Sequence, residues 1–238
     1  NLSQSIIKGL IESKTLRPDQ IIASNRTENR LKKVQEKYGI QGREANEQVV
    51  DECDIIIIGT KPQDFQEAVE SIATAFDAHH LIISLAAGIT LETLSDIFFQ
   101  TPAVARVMCN IPVKIGQGMI GYSLKETSPL ASEQVESLFS PLGQVIEIPN
   151  DEAMSAFCVA SAAGVGFVVE FMQYFQDWIE GYGFSKENSR LIAAQTFLGA
   201  SGLALDNTQI SFYEMLNQIA SKKGVTEAGL NSMRETDL

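Results

Sequence analysis

Histidine, cysteine and basic charge are all scarce in this sequence, and each shortage removes a class of chemistry. The two histidines, His79 and His80, are adjacent and precede a strand, where they read as a solvated turn. No set of His, Cys and carboxylate residues carries a ligand spacing, so no metal centre is proposed, and Ser–His hydrolysis is unsupported. Cys53, Cys109 and Cys158 are odd in number and widely separated. They form neither a zinc pattern nor a disulfide framework, and a reducing cytoplasm fits them best. Lys and Arg total 18 against 30 Asp and Glu, a formal net charge of −12, with no basic stripe. Nucleic acid and anionic membrane therefore do not fit as partners. No signal peptide opens the sequence. Residues 153–169 are uncharged but rich in Ala, Ser and Gly, short of the roughly 20 strongly apolar residues a membrane span needs. They read as a buried helix. Repeats and low-complexity tracts are absent.

What is present is an alternation of strand and helix signals, followed by helix alone. Ile6, Ile7, Leu10 and Ile11 mark a first helix, and residues 21–24 a short strand. Leu31, Val34 and Tyr38 line the next helix, which Gly39 stops. A short helix over 44–52 precedes the clearest strand, 54–59, whose four consecutive isoleucines predict burial on both faces of a central parallel strand. Pro62 suits a first helical turn, and Phe65, Val69, Ile72 and Phe76 carry its apolar stripe. Strands follow at 81–85, 104–108, 119–123 and 145–148, with helices capped by Thr90 and opened by Ser128-Pro129. This spacing predicts an α/β fold, a Rossmann-type doubly wound parallel sheet. Pro149-Asn150-Asp151 is the expected boundary between a domain over 1–150 and an all-helical domain over 151–238. Helices are expected near 152–182, 185–205, 209–220 and from Thr226. Their apolar residues cover more than one face, so a second subunit is expected against them.

The chemistry concentrates in a few turns. Residues 105–118 (A-R-V-M-C-N-I-P-V-K-I-G-Q-G) form a strand and the turn at its end, where open α/β sheets bind ligands. Gly59-Thr60 and Ala86-Ala87-Gly88 are small residues at strand ends, as close approach of a dinucleotide requires. Asn25-Arg26 follows the second strand of such a fold, where an acidic residue would hold a ribose 2′-hydroxyl; an arginine there suits a 2′-phosphate and favours NADP, or else is a solvated surface residue. Lys61 either meets cofactor phosphate or merely flanks a helix start. Residues 221–226 (S-K-K-G-V-T) lie between two apolar helices. They offer backbone amides and a hydroxyl to a small carboxylate, or form a plain turn with Thr226 as N-cap.

Together these stretches resemble the pyrroline-5-carboxylate reductase family along essentially the whole chain. Thr60-Lys61-Pro62 is similar to its Val-Lys-Pro, and Leu85-Ala86-Ala87-Gly88 to its cofactor-side turn. Arg106-x-Met108-x-Asn110-x-Pro112 is similar to Arg-x-Met-Pro-Asn-x-Pro. Gln195-Thr196-x-x-Gly199-Ala200 resembles a helical signature of the family, and 221–226 its Ser-Pro-Gly-Gly-Thr-Thr. Asn1-Leu2 resembles the residues after the family's Gly-x-Gly, which implies that a first strand and its glycines are missing from the sequence as given.

The resemblance implies NAD(P)H-dependent reduction of 1-pyrroline-5-carboxylate, a cyclic imino acid, to L-proline, with NADPH preferred over NADH. It implies cofactor contacts from Asn1, Leu2, Asn25, Arg26, Asn46, Thr60, Lys61, Pro62, Ala86 and Ala87. It places the substrate carboxylate on the amides of Gly224, Val225 and Thr226, the Thr226 hydroxyl near the imine nitrogen, and Ser161 and Asn110 beside the substrate. A homodimer through the C-terminal helices, or a larger assembly of such dimers, completes the expectation.

Several positions depart from the family. Cys109 stands at a usual Pro, and 161–167 (S-A-A-G-V-G-F) replaces Ser-Gly-Ser-Gly-Pro-Ala-Tyr. Gln173 stands at a usual Glu, and Lys222-Lys223 and Val225 replace Pro-Gly and Thr. The substrate half has drifted more than the cofactor half. A reductase of another cyclic imine and a non-catalytic NADP-binding dimer are the alternatives. A β-hydroxyacid-type dehydrogenase is disfavoured, because residues 152–185 contain no lysine to act as acid/base.

Overall fold

A computed structural model describes residues 2–70, 72–99, 103–125 and 129–235. Two compact units divide it, Asn1–Gly166 and Phe167–Leu238. In the first, α1 (Leu2–Glu12) buries Ile6 and Leu10 and leads through a turn to β1 (Ile22–Ser24). Next, α2 (Glu28–Tyr38) ends at Gly39, whose φ of 71° is the left-handed conformation a residue without Cβ adopts freely. The chain continues through β2 (Gln41–Arg43), α3 (Asn46–Glu52), β3 (Ile55–Ile58), α4 (Pro62–Glu70) and β4 (Leu81–Ser84). Then follow α5 (Leu91–Ile97), β5 (Ala103–Cys109), β6 (Gly118–Leu124), α6 (Pro129–Phe139), β7 (Gly143–Glu147) and α7 (Asp151–Cys158). Thr90 caps α5 as expected, its hydroxyl oxygen accepting the Thr93 N–H at 3.1 Å. Ser128, expected to open α6, lies outside the described residues.

β1 and β2 pair in parallel, and β3-β4-β5-β6-β7 form a second sheet in that order. The arrangement is that of a doubly wound fold whose first strand has no counterpart among the described residues. Alternate strand residues serve opposite faces. Leu81, Ile83, Ala105 and Val107 pack with Ile6 and Leu10 of α1 and with Val135 and Phe139 of α6. Ile56, Ile58, Ile82 and Val104 pack with Val50, Phe65, Val69 and Leu94 on the other side. Each such aliphatic side chain contributes about 1.5–3 kcal/mol by leaving water, so the two faces hold the sheet between helices.

The structure departs from the sequence expectations in several places. β3 pairs only with β4 among the described residues, and its burial alternates: Ile56 and Ile58 are buried, Ile55 and Ile57 half-buried. It is a strand at the edge of its sheet, so the expected two-sided burial is incomplete. β2 was not anticipated; its three residues, Gln-Gly-Arg, carry no apolar signal. β6 runs antiparallel to β5, because the connection through the 3-10 turn Ile111–Ile115 is too short for a crossover helix. β7 lies parallel to β6, with Gly118 opposite Gly143. At Gly143 φ is 151°, and a Cβ would overlap the Gly118 backbone, so the start of this pair requires glycine. After α7 the helix widens into a π-helical turn, Val159–Ala163, before α8 (Gly164–Glu180).

The second unit contains most of α8 together with α9 (Lys186–Asp206), α10 (Phe212–Ile219) and α11 (Val225–Glu235). Ser185 and Ser211 cap α9 and α10 through their hydroxyl oxygens. Phe175 meets Phe197 edge-to-face at 5.5 Å, and Ser189 and Ala193 are buried. Much of the remaining apolar surface is open: Phe167, Trp178, Leu198 and Phe212 are each at least 60% exposed. Leu203, Phe212, Met215 and Ile219 line an apolar groove of about 580 Å³. The expectation of a buried helix over 153–169 is not met within one chain, since Met154 alone in that span is buried. The longer helix that contains this run, Asp151–Glu180, is long and apolar enough to cross a membrane by length and composition only.

Candidate active site

The carboxyl ends of β1, β3 and β4 carry the residues singled out for a dinucleotide. The start of α1 lies against the end of β3, with the Ser3 hydroxyl donating to the Gly59 carbonyl at 3.4 Å. No acidic residue occupies the first turn of α1, so the positive end of its dipole favours an anion there. A Cβ at Gly59 would overlap the Ser3 hydroxyl as it is placed, so a side chain there would oblige Ser3 to turn away from the Gly59 carbonyl. Beside it the Thr60 hydroxyl is buried with no hydrogen-bond partner among the described residues. Leu2, the first residue of α1, packs against the sheet core, while Asn1 lies outside the described residues. Lys61 is exposed with no ion-pair partner among the described residues, and Pro62 opens α4. Ala86 is buried and its N–H donates to the Ser84 hydroxyl at 3.3 Å, whereas Ala87 is exposed. These small, amide-rich strand ends fit a dinucleotide.

Asn25 and Arg26 form the tip after β1. The Asn25 side-chain carbonyl accepts the Thr27 N–H at 2.9 Å, an Asx turn that presents Arg26 outward. Arg26 Nη1 lies 3.0 Å from Glu67 Oε2 and 3.5 Å from Asp64 Oδ1, both on α4. Asn46 does not present a free side chain. Its Oδ1 accepts the Ser24 hydroxyl at 2.6 Å and its Nδ2 donates to the Ala68 carbonyl at 3.0 Å, so it ties α4 to the end of β1.

The turn after β5 holds a second cluster. Arg106 is 3% exposed, and its Nη1 donates to the Asp151 carboxylate at the start of α7. The same carboxylate accepts the Leu91 N–H at 3.1 and 3.2 Å, and the buried Arg106 Nε has no partner among the described residues. Sequence reasoning quoted Arg106 but missed Asp151, because nothing local marks a pair 45 residues apart. Asn110 and Ser161, singled out separately, meet directly. Asn110 Nδ2 donates to the Ser161 carbonyl at 3.1 Å, and Asn110 Oδ1 accepts the Met119 N–H at 2.9 Å. The Ser161 hydroxyl itself donates to the Phe157 carbonyl at 2.8 Å. Cys109 is buried, and burial pushes its thiol up to about 12, so it is no nucleophile at neutral pH.

His80 corrects the solvated-turn expectation, since it is 4% exposed. Its Nδ1 accepts the Asp77 N–H and its Nε2 donates to the Val50 carbonyl, each at 3.1 Å. Asp77, His79 and His80 bring three ligand-type atoms together, but both His80 nitrogens are spent on the backbone.

In the second unit, Gly224 precedes α11 and its N–H already donates to the Ser221 carbonyl at 2.9 Å. It is therefore not free for a carboxylate. Thr226 is the second residue of α11 rather than its N-cap, because Val225 already has helical geometry. The amides of Val225 and Thr226 belong to the first turn of α11, where the helix itself supplies no acceptors. Both residues are exposed.

Two family models match this chain. One, described as NADP oxidoreductase, coenzyme F420-dependent, covers residues 1–88. The other, pyrroline-5-carboxylate reductase dimerisation, covers residues 151–238. The pyrroline-5-carboxylate reductase of Methanosarcina acetivorans is 29% identical over 238 residues, covering 100% of this chain and 87% of that protein. The solved pyrroline-5-carboxylate reductase of Coxiella burnetii is 25% identical with a TM-score of 0.87, covering 99% of this chain and 87% of that one. The Plasmodium falciparum enzyme, solved with NADP bound, shares the fold at a TM-score of 0.86 and 20% identity over 99% of this chain and 87% of its own. A dinucleotide-type first unit, a helical half that matches the dimerisation model and relatives that match along the whole length make this chain similar to pyrroline-5-carboxylate reductases from end to end.

Proposed function

We propose that this chain reduces 1-pyrroline-5-carboxylate to L-proline with NADPH, the last step of proline synthesis. The observation that carries the reading is the start of α1, free of acidic residues and packed on Gly59 beside the Thr60 hydroxyl, which is unpartnered among the described residues. It supports a pyrophosphate on the α1 amides, with Lys61 adding positive charge. Arg26 takes the 2′-phosphate and sets the preference for NADPH over NADH. The bound nicotinamide supplies the hydride.

Reduction adds a hydride to the imine carbon and a proton to its nitrogen, so the protein's task is orientation and protonation. The Val225 and Thr226 amides hold the substrate carboxylate, and the Thr226 hydroxyl holds a proton at the imine nitrogen. Asn110 and Ser161 shape the substrate side by fixing the turn between α7 and α8. The working boundary lies at 150/151, with cofactor binding before it and substrate binding and dimerisation after it. The chain acts in the cytoplasm as a homodimer through its C-terminal helices, assembled further into an oligomer of dimers. NADPH absorbance, followed with and without pyrroline-5-carboxylate, tests the reading. Substrate-dependent loss of NADPH is expected; NADPH binding without turnover would mean a different imine or an enzyme that has lost its activity.

A further inference from the structure

Arg26 is not a free cation waiting for a phosphate. Its Nη1 is shared between Glu67 at 3.0 Å and Asp64 at 3.5 Å. The pairing is built into the fold: Asn46 bonds both the Ser24 hydroxyl and the Ala68 carbonyl, which fixes α4 beside the end of β1 and sets Glu67 opposite Arg26. Arg26 and Glu67 are solvated, 68% and 69% exposed, and Asp64 is half-buried, so the Arg26–Glu67 pair is weak enough to open.

We infer that Glu67, seconded by Asp64, is a cofactor-specificity residue that competes with the 2′-phosphate for Arg26. The inference rests on the reading that Arg26 faces the adenosine end of the cofactor. A phosphate carrying nearly two negative charges must displace these carboxylates from the guanidinium and then sit beside them. A ribose 2′-hydroxyl carries no charge and can donate a hydrogen bond to a carboxylate instead, as it does to the acidic residue of NAD sites. The acidic pair therefore penalises NADP(H) and spares NAD(H), leaving the preference for NADPH smaller than an unopposed arginine would give.

The test is direct titration of NADPH and NADH, at fixed ionic strength, into the full chain and its Glu67→Gln, Asp64→Asn, Arg26→Ala and Arg26→Ala/Glu67→Gln variants. Glu67→Gln should tighten NADPH about two- to five-fold relative to NADH, and Asp64→Asn should act in the same direction but less. The gain should vanish when Arg26 is already Ala. Weaker NADPH binding in Glu67→Gln would mean that Glu67 preorganises Arg26, and would overturn the inference. Equal shifts for both cofactors, or none, would overturn it too. If Arg26→Ala selectively weakens NADPH while Glu67→Gln changes nothing, only this inference fails. If Arg26→Ala leaves the NADPH-to-NADH ratio unchanged, the underlying reading of Arg26 fails with it.

Discussion

The side-chain amide of Asn110, at the end of β5, holds the backbone carbonyl of Ser161 inside the π-helical turn between α7 and α8. A π-turn gives up the regular i→i−4 ladder, and here a side chain from the sheet takes one of its carbonyls. The same amide group caps the Met119 N–H at the head of β6. One residue thereby fastens a strand end, its return strand and the helix that follows the proposed domain boundary.

Asn110→Ala would strand both partners. A loss of about 1–3 kcal/mol is expected, read as a lower midpoint in chemical denaturation. Asn110→Asp keeps the acceptor for Met119 but loses the donor to Ser161, and should fall between the two.

Asp151 answers a buried guanidinium. Asp151→Ala would leave Arg106 buried and uncompensated and the Leu91 N–H without its acceptor, at a cost of about 3 kcal/mol. The paired replacement Arg106→Met with Asp151→Leu removes both charges together and should recover most of that loss in the same denaturation assay.

Thr226→Ala should lower kcat about a hundred-fold while leaving NADPH affinity nearly unchanged, because the hydroxyl belongs to the substrate half. Thr226→Ser keeps the hydroxyl and should retain most activity. An unaltered rate in Thr226→Ala would remove this residue from the mechanism.

Cys109 makes stability depend on alkaline pH. Its folded thiol is held at about 12 against a reference of 9.0, so the unfolded chain gives up this proton first. The contribution is intact below pH 9 and is lost as pH rises toward 12, by about 1 kcal/mol at pH 10. The difference in unfolding free energy between the wild-type chain and Cys109→Ala, measured at pH 7 and pH 10, should shrink by that amount.

Elements whose stability comes from their own apolar pattern were legible in the sequence: the isoleucines of β3, the stripe of α4, the glycine stop of α2. Those decided by distant partners were not. β2 has no apolar residue and exists because β1 offers an edge. The antiparallel turn of β6 depends on loop length rather than on composition. His80 sits beside an exposed His79 and differs from it only through the Val50 carbonyl, 30 residues away. At the candidate site the small strand-end residues were legible. The carboxylates facing Arg26 come from a helix some forty residues later, and the open amides of α11 turned on whether Gly224 or Val225 begins the helix.

The open apolar faces of α8, α9 and α10 make concentration a thermodynamic variable for this protein. Surface that is covered by another copy rather than by the chain's own fold contributes nothing at infinite dilution and progressively more as copies meet. Trp178, the single tryptophan, stands 63% exposed on that surface. The helical half thus has no one melting temperature: dilution acts on it as a denaturant does on the sheet.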